Sequence, residues 1–145
     1  MTPTMHSHLL TTSTEDASRL SCALEERELL VVGLCAAWCG ICKEFRETFE
    51  TLAAAQPDRA FVWLDVEDDA DLAGDIEVEN FPTLAIFHRD RLLHFGVSFP
   101  QRGIVARLLS TLDVKSETTL ADETVTALPF LLAHHSSRRL NARAG

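Results

Sequence analysis

Apolar positions along this chain follow two rhythms. Ala17, Leu20, Ala23 and Leu24 recur at helical spacing, which predicts an amphipathic helix over residues 15 to 27, with Ser13 or Thr14 as a hydroxyl N-cap and Glu15 and Asp16 in the first turn. Leu29-Leu30-Val31-Val32-Gly33-Leu34-Cys35 is instead uninterrupted and of strand length, the pattern of a central strand covered on both faces. Phe45, Phe49, Leu52 and Ala53 then line one face of a helix from about residue 39 to 55, closed by Pro57-Asp58. Residues 60 to 66 form a second buried strand, and a short helix surrounds residues 70 to 74. Two strands at 84–88 and 92–96 are joined at Arg89-Asp90 as a hairpin. Pro100 opens a last domain helix carrying Ile104, Val105, Leu108, Leu109 and Leu112. With a short edge strand at 8–12, the order requires crossovers early and an antiparallel pair late. The class is α/β, a mixed sheet flanked by helices.

The pattern weakens after residue 112. This divides the chain into a loose, polar N-terminus (1–8), one domain (9–112) and an extension (113–145). In the extension residues 116–128 are acidic and Thr-rich, 128–132 form an apolar patch, and 134–145 are basic and read as a solvated tail, with a partner-binding or metal-binding tail at His134-His135 and Arg138-Arg139 as the alternative. The patch is expected either to fold back or to pack on another subunit, the second giving an oligomer through the extension. With 145 residues, 46% of them hydrophobic, one domain can bury a core without staples. A formal charge of -9 disfavours nucleic acid as a partner. No apolar run approaches the roughly 20 residues that cross a bilayer, and residues 1–8 lack the pattern of a secretory signal. The expectation is a cytoplasmic protein with no membrane partner.

In a chain of this size the four cysteines read as chemistry rather than scaffold. Cys39 and Cys42 stand at redox spacing between the buried strand and a helix N-terminus. That position favours a thiolate, the nucleophilic form, at Cys39, and Cys42 lies one helical turn later on the same face. Structural thiols or half of a zinc site are the competing readings. A zinc site lacks a second well-spaced pair, so no metal is assigned. Trp38-Cys39-Gly40-Ile41-Cys42-Lys43 together with Phe81-Pro82-Thr83 resembles the thioredoxin family, with the element order agreeing from about residue 9 to 112. The resemblance implies a three-layer sandwich and a protein-disulfide reductase. In it Cys39 attacks, Cys42 resolves, and a cis Pro82 faces them within a substrate groove that includes Trp38, Gly40, Ile41, Phe81 and Thr83. No dissociable cofactor is implied, and the electron donor would be a flavin-dependent, thioredoxin-reductase-like enzyme.

Three positions depart from the family's pattern. Gly33 stands where a buried Asp usually assists the resolving thiol, which leaves water or Asp65 to take that role. Gly40-Ile41 replaces Gly-Pro between the cysteines, and so alters the potential of the pair. Cys35 replaces an aromatic residue and reads as a small buried hydrophobe, as does Cys22, with a third redox thiol or a Cys22 partner as the sharper alternative. Trp63 reads as core. The acidic run 67–79 reads as a solvated face, or, at Glu77 to Asn80, as a negative rim of the groove. A different class of function is also open: a binding or assembly factor on the same fold, with little redox turnover.

Overall fold

The computed structural model describes residues 8–36, 39–73, 76, 78, 80–99, 101–112 and 122–144. Five strands form one sheet in the order β1-β3-β2-β4-β5: β1 (Leu9–Leu10), β2 (Leu29–Cys35), β3 (Arg59–Asp65), β4 (Thr83–His88) and β5 (Arg91–Val97). β3 runs parallel to both β1 and β2, whereas β4 is antiparallel to β2 and to β5. All seven residues of β2 are buried, as its unbroken apolar sequence requires of the middle strand of five.

Helices cover both faces. Strand side chains alternate between the faces, so Val31 and Phe61 point to one core and Val32 and Val62 to the other. The first core is closed by α2 (Gly40–Ala55) and α4 (Arg102–Ser110) through Phe45, Phe49, Leu52, Val105 and Leu109. The second is closed by α1 (Ala17–Glu26), α3 (Ala70–Ala73), α5 (Glu123–Thr126) and α6 (Leu128–Ala144) through Leu20, Leu72, Val125, Leu128 and Leu132. This is the expected three-layer α/β sandwich with a mixed sheet.

Two helix boundaries move. The first helix starts at Ala17 with Asp16, not Ser13 or Thr14, at the N-cap. Residues 13–16 form a turn first, and the Asp16 carboxylate accepts from the Thr11 N–H and hydroxyl instead of capping the helix. The last helix of the α2 face begins at Arg102 behind Gln101, and Pro100 lies outside the described residues. Apart from His8, the N-terminal stretch 1–8 also lies outside them.

The largest change is in the extension. Its basic end is no solvated tail: residues 128–144 are one helix, which packs along α1. Leu128, Leu132 and Ser136 recur every four residues on its inner side and are fully buried. His135 donates through Nε2 to the Thr12 carbonyl (2.9 Å), and Arg139 donates to the Thr14 hydroxyl (3.2 Å). The polar residues therefore hold the loop before α1 while the apolar ones complete the core. Phe130 remains exposed and stacks on His134.

Candidate functional site

The site lies at the end of β2 where the chain turns into α2. Cys35 is the last residue of the strand and is paired in register with Asp65 of β3. Its carbonyl accepts from the Val66 N–H at 2.9 Å, which fixes the strand end. The Cys39 N–H donates to Ala36 O (3.0 Å). Cys39 is the N-cap of α2 with extended backbone, and its carbonyl accepts from the Cys42 N–H (3.2 Å). Cys39 is a free, half-buried thiol, whereas Cys42 is buried in the first turn of the helix.

Cys42 is not joined to Cys39. It forms a disulfide with Cys35, the two Cα atoms being 5.9 Å apart. This corrects the reading of Cys35 as an inert small hydrophobe. The strand-turn-helix reversal sets the first turn of α2 above the strand end, within the roughly 4.4–6.8 Å that a disulfide spans. Of the alternatives weighed for Cys35, a link to Cys22 is not formed: Cys22 is a free, exposed thiol on α1.

Phe81, Pro82 and Thr83 arrive at the same end of the sheet. Thr83 is in register with Leu34, the residue before Cys35, and the Phe81–Pro82 bond is cis. Pro82 and Thr83 are buried, and the Thr83 hydroxyl donates to Asn80 O at 2.6 Å. Phe81 is half-buried and packs with Cys39 against the core that holds Cys35 and Cys42. Gly40 and Ile41 are exposed at the helix start, Ile41 by 52%. Trp38, Glu77 and Glu79 lie outside the described residues. The sequence gives little sign of two further apolar neighbours, Val97 and Phe99. They are exposed by 56% and 66% and flank Ser98, whose N–H donates to the Pro82 carbonyl.

A cavity of about 340 Å³ opens over the sulfurs, lined by Cys35, Cys39, Cys42, Lys43, Arg46, Trp63 and Asp65, among others. Trp63 is thus a wall of the site rather than simple core, with the Arg46 guanidinium 5.1 Å above its ring. Along with Glu47, Asp65 is a carboxylate residue that lines this cavity. Its Oδ1 accepts from the N–H groups of Glu67 and Asp68, and Asp69 in turn accepts from the Asp65 N–H. Of the acidic run 67–79, Asp69 thus serves a backbone amide at the end of β3. At Gly33 space is tight: a Cβ there would lie 3.1–3.3 Å from the rings of Phe49 and Phe45, which would have to give by a few tenths of an ångström.

The thioredoxin family model matches residues 11–107. The chain belongs to the thioredoxin family. Among curated relatives, a thioredoxin of Ophiophagus hannah is 33% identical over 67 residues, which cover 46% of this chain and 64% of that protein. Thioredoxin-1 of Saccharomyces cerevisiae is 35% identical over 78 residues, covering 54% and 76%. Two solved thioredoxins share the fold. One from Nicotiana alata has a TM-score of 0.59 at 20% identity, covering 77% of this chain and 97% of its own. Mitochondrial thioredoxin 3 of S. cerevisiae, in its oxidized form, has a TM-score of 0.57 at 24% identity, covering 74% and 100%. Among the described residues no helix is long and apolar enough to cross a membrane.

Proposed function

We propose that this thioredoxin-family chain is a thiol-disulfide oxidoreductase acting on protein disulfides. The observation that carries this reading is a free, half-exposed Cys39 at the N-cap of a 16-residue helix, one turn from a buried Cys42 in the same cavity. The Cys39 thiolate attacks one sulfur of the substrate, forming a mixed disulfide and releasing the other sulfur as a thiolate. Cys42 then attacks Cys39, expelling the reduced substrate and leaving both electrons with it. Ile41, Phe81, Val97 and Phe99 supply apolar surface for an extended segment of the substrate next to the cis proline.

Re-reduction falls to a flavin-dependent reductase of the thioredoxin-reductase type, and the working compartment is the cytoplasm. With no Asp at position 33, Asp65 is the proton acceptor for the resolving thiol. A second reading, a binding factor that holds partners in the same groove, draws support from Gly33, whose place under Phe45 and Phe49 leaves no buried acid beneath the cysteines. Reduction of a protein disulfide such as insulin, driven by dithiothreitol, separates them. Steady turnover by the full chain that is lost in Cys39→Ser supports the reductase. Partner retention with equal, negligible turnover in both proteins supports the binding factor.

A further inference from the structure

We infer that Cys35 is a third catalytic thiol, which takes Cys42 out of the Cys39–Cys42 disulfide and returns Cys39 to the free state within an oxidised molecule. The inference rests on the thiol-disulfide reading above. Three sulfurs line one cavity, and the bond that exists is between the two most deeply buried, Cys35 at 1% and Cys42 at 4% exposure. The half-buried member of the set, Cys39, is left as a thiol.

Substrate reduction first produces Cys39–Cys42, as above. The Cys35 thiolate then attacks Cys42 Sγ: the Cys35–Cys42 bond forms, the Cys39–Cys42 bond breaks, and Cys39 leaves as a thiolate. The Cys35 proton passes to solvent through the cavity. No electron enters or leaves the protein, and no further reactant is required. The step exchanges a disulfide with one end at the surface for one enclosed between β2 and α2. Its reverse, attack of Cys39 on Cys42, brings the bond back to the surface for the reductant.

The consequence is that the oxidised protein keeps its nucleophile. It can still form a mixed disulfide through Cys39, yet it cannot resolve one, because Cys42 is occupied. One chain is therefore a turnover enzyme when reduced and a covalent capture site when oxidised.

Chymotryptic mapping tests this on the full-length protein, because cleavage after Trp38 separates Cys35 from the peptide that holds Cys39 and Cys42. The reduced chain is oxidised with a stoichiometric amount of diamide, quenched in acid, alkylated and digested. A majority product in which the two peptides are linked and Cys39 carries the alkyl group is the expected result. A majority with Cys39–Cys42 closed inside one peptide and alkyl on Cys35 overturns the inference, as does the absence of either bond. In oxidised Cys35→Ala the alkyl group on Cys39 is expected to be lost, since Cys39–Cys42 is then the only bond open to the site. Persistence of that label also overturns the inference. Turnover of Cys35→Ala on a protein disulfide, and its loss in Cys39→Ser, report separately on the reductase reading. They leave that reading intact if only the third thiol fails.

Discussion

The two faces of the sheet are built from similar apolar strands but do different work. On the α2 and α4 face, Phe45, Phe49, Phe61 and Trp63 cluster with ring centroids 5.2 to 6.0 Å apart, and Trp63 lines the cavity that holds the sulfurs. On the opposite face the cover is aliphatic and assembled from distant pieces of chain, with α6 laid along α1 more than a hundred residues away in sequence. Packing near the cysteines thus shapes a reactive cavity, while packing on the far side supplies stability. Substitutions on the two faces should then separate activity from stability.

The largest separation is expected at Cys39. Cys39→Ser removes the attacking sulfur, so disulfide turnover should fall to the uncatalysed rate while thermal stability stays within about 0.5 kcal/mol, since the side chain is half-exposed and caps nothing. The opposite result is expected at Leu132, which is fully buried under the sheet on the far face. Leu132→Ala should cost about 2 to 4 kcal/mol in denaturant titration, with unchanged turnover per folded molecule. An activity loss larger than the folded fraction explains would break the division between faces.

Gly33 sharpens the comparison, because it borders the aromatic cluster without touching substrate. Gly33→Ala places a methyl 3.1–3.3 Å from two rings and should destabilise by about 1 to 3 kcal/mol, measured by chemical unfolding. Asp65→Asn keeps an oxygen for the Glu67 and Asp68 amides but removes the proton acceptor. The resolution step should slow by about tenfold with little change in stability, and its pH profile should change shape.

The smallest effect concerns His94 on β5. Burial holds its pKa below the ordinary histidine value, and Nε2 is buried with no hydrogen-bond partner. The unfolded chain therefore binds this proton more readily than the folded one. Stability is complete above the ordinary value of about 6.5 and declines as the pH falls from there through the depressed folded pKa. His94→Gln should flatten that part of the stability-pH curve, while an unchanged slope would assign it to other groups.

The α2 face was largely legible in the sequence. Seven apolar residues in a row announced the buried strand, helical spacing announced Phe45 and Phe49, and Cys39, Cys42 and Pro82 carried the family's pattern. What was hidden depended on the third dimension. The bond between Cys35 and Cys42 arises because a strand end and a helix start are stacked by the turn between them, a proximity that a spacing of seven residues does not encode. Val97 and Phe99 lie beyond the strand predicted at 92–96, and it is the Ser98 amide between them that ties this segment to Pro82. Across the sheet, α6 is poorly marked in the sequence because its inner stripe includes Ser136 and its flanks are His and Arg. The hydrophobic contrast that marks an amphipathic helix is therefore weak there, though Leu128 and Leu132 are fully buried in the core.

The central claim is that Cys39 attacks a substrate disulfide and Cys42 releases it. Incubation of full-length Cys42→Ser with a disulfide-bonded protein, read by non-reducing mass spectrometry, tests it most directly. A mixed disulfide mapped to Cys39 should accumulate, absent from the Cys39→Ser/Cys42→Ser double variant. No adduct, or the same adduct in the double variant, would contradict the account.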